Sequence, residues 1–163
     1  MNLKTTIVLL MALLVSFKLY PQELSNDIID HYITNDFECA IFPLSKYPFD
    51  IGGYTPTRKD IDDAEKVLKS DLKRLNRKRI NQGINNSPVI HENLQNYVRQ
   101  YSGYIDKKGN KYLLIRFIWR TSAEELKWLE EEISIHDGGS YFWSIHYNIK
   151  KNKLFDLSIN GLG

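Results

Sequence analysis

The longest stretch of helical periodicity places Ile61, Ala64, Leu68, Leu72 and Leu75 on one apolar stripe, with Val67 at its edge. That spacing predicts one principal helix closing near Arg79. Two starts fit it: Thr55 capping with Pro56 at the first helical position, or Thr57 and Asp60 as a capping box. Upstream, Leu24, Ile28, Ile29 and Tyr32 fit a shorter amphipathic helix capped by Ser25 or Asn26. Between the two helices, the prolines and glycines from Phe42 to Gly53 predict a loop lying over the core.

After a polar break from Asn81 to Pro88 the period changes to two. Tyr97, Arg99, Tyr101 and Gly103 alternate with Val98, Gln100, Ser102 and Tyr104, and Asp106 to Asn110 reads as a hairpin connection. The next strand, Tyr112 to Trp119, puts Leu113, Ile115, Phe117 and Trp119 on one face and Tyr112, Leu114, Arg116 and Ile118 on the other. Both faces are largely apolar, so this strand is expected to be central and covered. Ser122 to Glu132 then predicts a helical excursion with a Ser122/Glu125 capping box. Strand pattern resumes in Ile133 to His136 and in Tyr141 to Ile149, with Gly138-Gly139 between them as a hairpin turn or a bulge. Lys150 to Lys153 is a turn, and Leu154 to Asn160 is the last strand. Helices preceding strands predict an α+β fold, an N-terminal helix packed on a curled four- to five-stranded antiparallel meander. A parallel nucleotide-binding sheet does not fit, because no Gly-rich strand-to-helix loop is present.

The first twenty residues follow a different rule. Lys4, an apolar run from Ile7 to Phe17 and then Lys18 have the form of a secretory leader, too short to span a bilayer comfortably. The expected organisation is a signal peptide over 1–21, a helix and loop over 22–53, and the α+β domain over 54–163. The chain is then exported, periplasmic or secreted, with no membrane span once the leader is cut. No clean small-x-small triplet lies between Ser16 and Gln22, which leaves the cleavage site open and an uncleaved anchor as the alternative. The single cysteine, Cys39, excludes an intramolecular disulfide and reads as a small buried hydrophobe beside Phe37, Ile41 and Phe42.

Composition narrows the classes. A 163-residue chain with 42% hydrophobic and 26% charged residues can bury a core of its own, which rules out disorder and collagen-like repetition. Its formal charge of +2 falls to zero without Lys4 and Lys18, so it gives no support to a nucleic-acid partner.

Four motif blocks carry a resemblance: Tyr54-Thr-Pro-Thr-x-x-Asp-Ile61, Tyr97-x-Arg-Gln-Tyr-x-Gly-Tyr-Ile105, Asp137-Gly-Gly-Ser-Tyr-Phe-Trp143 and Ile159-Asn-Gly161. In these, from Gly52 onward, the chain resembles a group of small, exported, uncharacterised bacterial proteins. The resemblance implies one cystatin-like α+β domain and brings no catalytic residues. Protease inhibition is not implied, since Gln100-Tyr-Ser-Gly103 is one residue short of the inhibitory Gln-x-Val-x-Gly hairpin and no Pro-Trp occurs.

Candidate chemistry is sparse. Of the four histidines, only His136 and His146 with Asp137 approach a metal-ligand pattern, and a hairpin centred on Gly138 would not bring them together. Ser140 lacks the strand-to-helix context of a nucleophile elbow. No catalytic residue, metal or cofactor is therefore assigned. Two stretches remain as candidate binding surfaces. One is Asp137, Gly138, Gly139, Ser140, Tyr141 and Trp143. The other is Lys73, Arg74, Arg77 and Arg79 in a run with five basic residues in seven. That run suits an anionic glycan, lipid headgroup or acidic protein, although basic residues at a helix C-terminus also oppose the helix dipole without any ligand. The aromatic set Trp119, Tyr141, Phe142, Trp143 and Tyr147 divides between core and surface. The expected function is an exported non-enzymatic domain that binds a protein or glycan through the sheet face or the loops at Asp106 to Asn110 and Asp137 to Ser140. Immunity to a secreted toxin is one form of that role. The alternative is a small-molecule or enzymatic pocket between the helix and the sheet.

Overall fold

A computed structural model describes residues 28–44, 52–84 and 87–163. Along the described chain run β1 (Asp30–Ile33), β2 (Glu38–Ile41), β3 (Gly53–Tyr54), α1 (Arg58–Leu75), β4 (Tyr97–Ile105), β5 (Lys111–Trp119), α2 (Arg120–Ala123), β6 (Phe142–Asn148) and β7 (Lys153–Ile159). All seven strands belong to one sheet in the order β1-β2-β4-β5-β6-β7, with β3 beside β4. The pairs are antiparallel except β2 with β4, which is parallel, Cys39 facing Arg99 and Ile41 facing Tyr101. A parallel pair needs a long crossover, and α1 lies within it.

This architecture replaces the expected one. The sheet is seven-stranded and mixed, not a four- to five-stranded antiparallel meander, and α1 is the one substantial helix among the described residues. The helix expected over Leu24 to Tyr32 is absent where it can be judged, because Asp30–Ile33 is a strand paired to Glu38–Ile41. Positions 24–27, like the whole leader segment, lie outside the described residues. Four residues are too few to separate a period of two from one of 3.6, and pairing with β2 decides the outcome. Residues 30–41 are thus part of the sheet and not an appendage to it.

α1 starts at the Thr57 and Asp60 capping box, the Thr57 hydroxyl accepting from Asp60 N and Asp60 accepting from Thr57 N. Its stripe is as the spacing predicts: Ile61, Ala64, Leu68 and Leu72 are buried against Tyr101, Leu113, Ile115, Ile145 and Leu154 of the sheet. The helix stops at Leu75, short of Arg79, because the next side chain is claimed elsewhere. Asn76 and Gln82 exchange buried amide hydrogen bonds of 2.7 and 2.6 Å, and Gln82 also accepts from Ile90 N.

β5 is central, as its two apolar faces require. On the outer face, away from α1, Val98, Ile118 and Phe142 pack against Ala123, Leu126, Trp128 and Ile133. The segment supplying that cover is mostly irregular. Only Arg120–Ala123 is helical, the Ser122/Glu125 capping box does not form, and Ile133 to His136 is not a strand. Buried Gln100 provides the reason: its amide donates to Trp128 O and Glu131 O and accepts from Ile133 N, satisfying backbone groups without a ladder.

Candidate functional site

The Asp137 to Trp143 stretch is bound up inside the fold. Gly138 and Gly139 take positive φ values of 89° and 55°, so they are neither a hairpin turn nor a bulge but the entry to a short 3-10 turn, Gly139–Tyr141. Gly139 N donates to Gly161 O, Gly161 N donates to His136 O, and Asn160 caps Asp137 O, so the loop clasps the C-terminal segment. Ser140 is fully buried, its hydroxyl donating to Pro88 O at 2.6 Å and its carbonyl accepting from Tyr97 OH. Trp143 is buried and stacked on Phe117 at 3.6 Å, and Tyr141 meets Trp119 edge to face at 5.6 Å. These contacts anchor α1's neighbours and the tail to the sheet, and leave Asp137 and Gly138 as the exposed part of the loop.

Most of the basic run gathers at one groove, which Arg74, Arg77, Lys78 and Arg79 all line. Arg74 pairs with Asp71 at 2.6 Å and Arg79, at a φ of 45°, pairs with Glu92 at 2.7 Å. Arg77 is exposed beside this open 700 Å³ groove between the helix end and β7, lined also by Ile80 and Leu157. Lys73 faces a different cavity, on the other side of α1. Cys39 is fully buried and free, and burial pushes its thiol well above the ordinary range.

A different surface assembles from four strands. Tyr104 of β4, Tyr112 of β5, His146 of β6 and Phe155 of β7 meet on the outer face of the sheet, on the half that the Arg120 to Asp137 segment does not cover. Register puts them there: Tyr104 opposes Tyr112, and His146 opposes both Leu114 and Phe155. The tyrosine rings stack at 5.1 Å, Tyr112 meets Phe155 at 5.7 Å, and His146 lies 5.3 Å from Phe155. All four side chains are half-buried. Tyr104 OH and His146 Nδ1 are 2.8 Å apart. Burial pushes the Tyr104 phenol up to about 12 and the His146 imidazole below its ordinary value, so at neutral pH the two groups share this hydrogen bond as neutral partners.

The rim of this surface is basic. The Asp106 carboxylate accepts from the backbone of Lys108 and Asn110 and from Asn110 Nδ2 and Tyr112 OH, all at 2.8 to 3.0 Å. Those bonds hold its carboxyl down at about 2 and spend its charge inside the hairpin. Lys107 and Lys108 from this hairpin and Lys150 and Lys151 from the β6–β7 turn line a 380 Å³ cleft with Tyr112 and Asn148. None of the four has an ion-pair partner among the described residues.

Of the two loops named from the sequence, Asp106 to Asn110 therefore borders the aromatic surface and Asp137 to Ser140 is clasped by the tail. The aromatic cluster itself was missed. Its signal lay in alternation: Tyr112 and Leu114 were already on the face opposite Leu113 and Ile115. Only the β4, β6 and β7 registers show which side chains join them. Among the described residues no three of His, Cys, Asp and Glu stand together as metal ligands, and no helix is long and apolar enough to cross a membrane. No family model, curated protein or solved structure matches the chain.

Proposed function

We propose that the chain is an exported, non-enzymatic binding domain whose open sheet face takes the acidic surface of a partner protein. The observation that carries this reading is the half-buried four-strand aromatic cluster, with four lysines along its edge that have no ion-pair partner among the described residues. An aromatic centre with a charged rim is the common anatomy of protein interfaces, and tyrosine is favoured among residues that dominate binding energy. The lysines give the partner's sign, and their separation from the acids of the Arg120 to Asp137 segment gives an encounter a preferred direction. Export is supported by the leader pattern over 1–21. The non-enzymatic reading is supported by the commitments of the side chains that first suggested chemistry: Ser140 holds Pro88 O, and His146 is engaged by Tyr104. Immunity toward a secreted toxin is one role that such a domain fills.

The test is capture from the producing cell's envelope and culture fluid by wild-type protein, Phe155→Ser and Lys107→Glu/Lys108→Glu. An acidic protein that binds wild type in a salt-sensitive manner, and binds each variant at least about tenfold more weakly, supports the reading. Capture of a glycan alone, or of a protein bound equally by all three, overturns it.

A further inference from the structure

A second cavity, of 370 Å³, opens between α1, the N-terminal half of β4 and the turns around residues 90–96. Its wall includes Arg99, which is only 1% exposed. A buried guanidinium demands compensation, and here it is held on several sides. The group lies 5.7 Å from the Phe37 ring centroid and 5.5 Å from that of Phe117. Nε donates to Glu65 Oε1 at 3.0 Å, and Nη1 donates to Tyr97 O. Glu65 is fixed in turn by Tyr101 OH, which donates to the same oxygen at 2.7 Å. Nη2 has no hydrogen-bond partner among the described residues. The result is a planar cation locked in place with one nitrogen unused, on the wall of a cavity.

We infer that this cavity is a binding site for a small organic carboxylate with an apolar body. The charges and the lining both point to that class. Glu65 already offsets much of the Arg99 charge, and Lys69 on the rim is paired with Asp36 at 2.7 Å. Lys73 is the remaining rim cation and has no ion-pair partner among the described residues. One positive charge in excess suits a monoanion better than a phosphate dianion, which draws on clusters of charge-assisted donors. Leu68, Leu72 and Leu94 supply an apolar wall, and Gln95 adds a neutral amide. The volume lies at the lower end of the ~300–1,000 Å³ typical of small-molecule sites. A carboxylate oxygen on Arg99 Nη2 with Lys73 nearby would leave the hydrocarbon portion against the leucines. This site is separate from the aromatic face, so the two readings stand or fall independently.

Hexanoate and its uncharged isostere hexanamide are the probes, titrated into the full chain by calorimetry with the Arg99 Nε–H resonance followed by NMR. Hexanoate is expected to bind at least tenfold more tightly than hexanamide and to shift that resonance. Because an Arg99 variant is at risk of unfolding, exposed Lys73→Glu carries the charge test, and Leu94→Trp, which fills the cavity, carries the volume test. Each is expected to weaken hexanoate at least tenfold with the melting temperature of the unliganded protein retained, whereas Lys107→Glu/Lys108→Glu leaves it unchanged. Equal affinity for hexanoate and hexanamide, no binding of either at millimolar concentration, or full affinity in Lys73→Glu would overturn the assignment.

Discussion

Glu65 and Arg99 face each other beneath α1, 3% and 1% exposed, and the cost of separating them is set by their burial. Glu65→Leu would leave an uncompensated guanidinium in the core, which typically destabilises by roughly 3–5 kcal/mol. Adding Arg99→Met removes the stranded charge and is expected to recover most of that loss, a non-additivity that urea denaturation of the two variants measures directly. His146 gives a residue-scale prediction of a different kind. Its folded-state pKa lies below the ordinary 6.5 because burial and Arg116 outweigh the pull of Asp156. The unfolded chain therefore binds the proton more readily, so the contribution of His146 is intact above about 6.5 and is lost as pH falls through the folded value. Half-buried His91 has the same sign, since burial, with Arg79 and Lys73 nearby, outweighs the pull of Glu92. Between about pH 7.5 and about pH 5.5 the melting temperature should fall, and His146→Phe should flatten that fall. An unchanged slope in His146→Phe would remove His146 as its source.

At the scale of elements, α1 and the β4–β5 hairpin were readable because local chemistry specifies them. Thr57→Ala, which deletes one half of the capping box, is expected to cost ~1 kcal/mol in chemical denaturation. The hairpin is fixed by Asp106, whose carboxylate closes the Lys107 to Asn110 turn before any remote contact is needed. Strands β1 and β2 were not readable, because neither has a local signal. Each is four residues long, and β2 is positioned by a parallel pairing to Arg99 and Tyr101 roughly sixty residues away in sequence. β3 depends on a close approach of the same remote kind. Its two residues lie against Gly103, where a Cβ would overlap the Tyr54 carbonyl and ring. Gly103→Ala is expected to push β3 off β4 and to destabilise the protein by about 1–3 kcal/mol. Amide exchange at Tyr54 and Tyr104 would report the lost pairing. The Ile133 to His136 stretch shows the converse, since its alternating apolar positions cover the sheet under Gln100 without pairing to it.

For the whole molecule, a near-neutral total charge conceals a segregated one. The exposed acids Glu124, Glu125, Glu130 and Glu131 lie on the segment that covers one half of the outer sheet face. Lys107, Lys108, Lys150 and Lys151 stand at the edge of the other half, beside the half-buried Tyr112 ring. Under the proposed function, the other half is where a partner would complete what the chain's own segment does on the covered half. The most direct test places a photo-crosslinking side chain at Tyr112, within the cluster, and at Lys66 on the exposed side of α1 as the control, in cells that make the protein. The account predicts a salt-sensitive crosslink to one acidic protein from position 112 and none from position 66. No protein crosslink at position 112, or the same crosslinks from both positions, would contradict it.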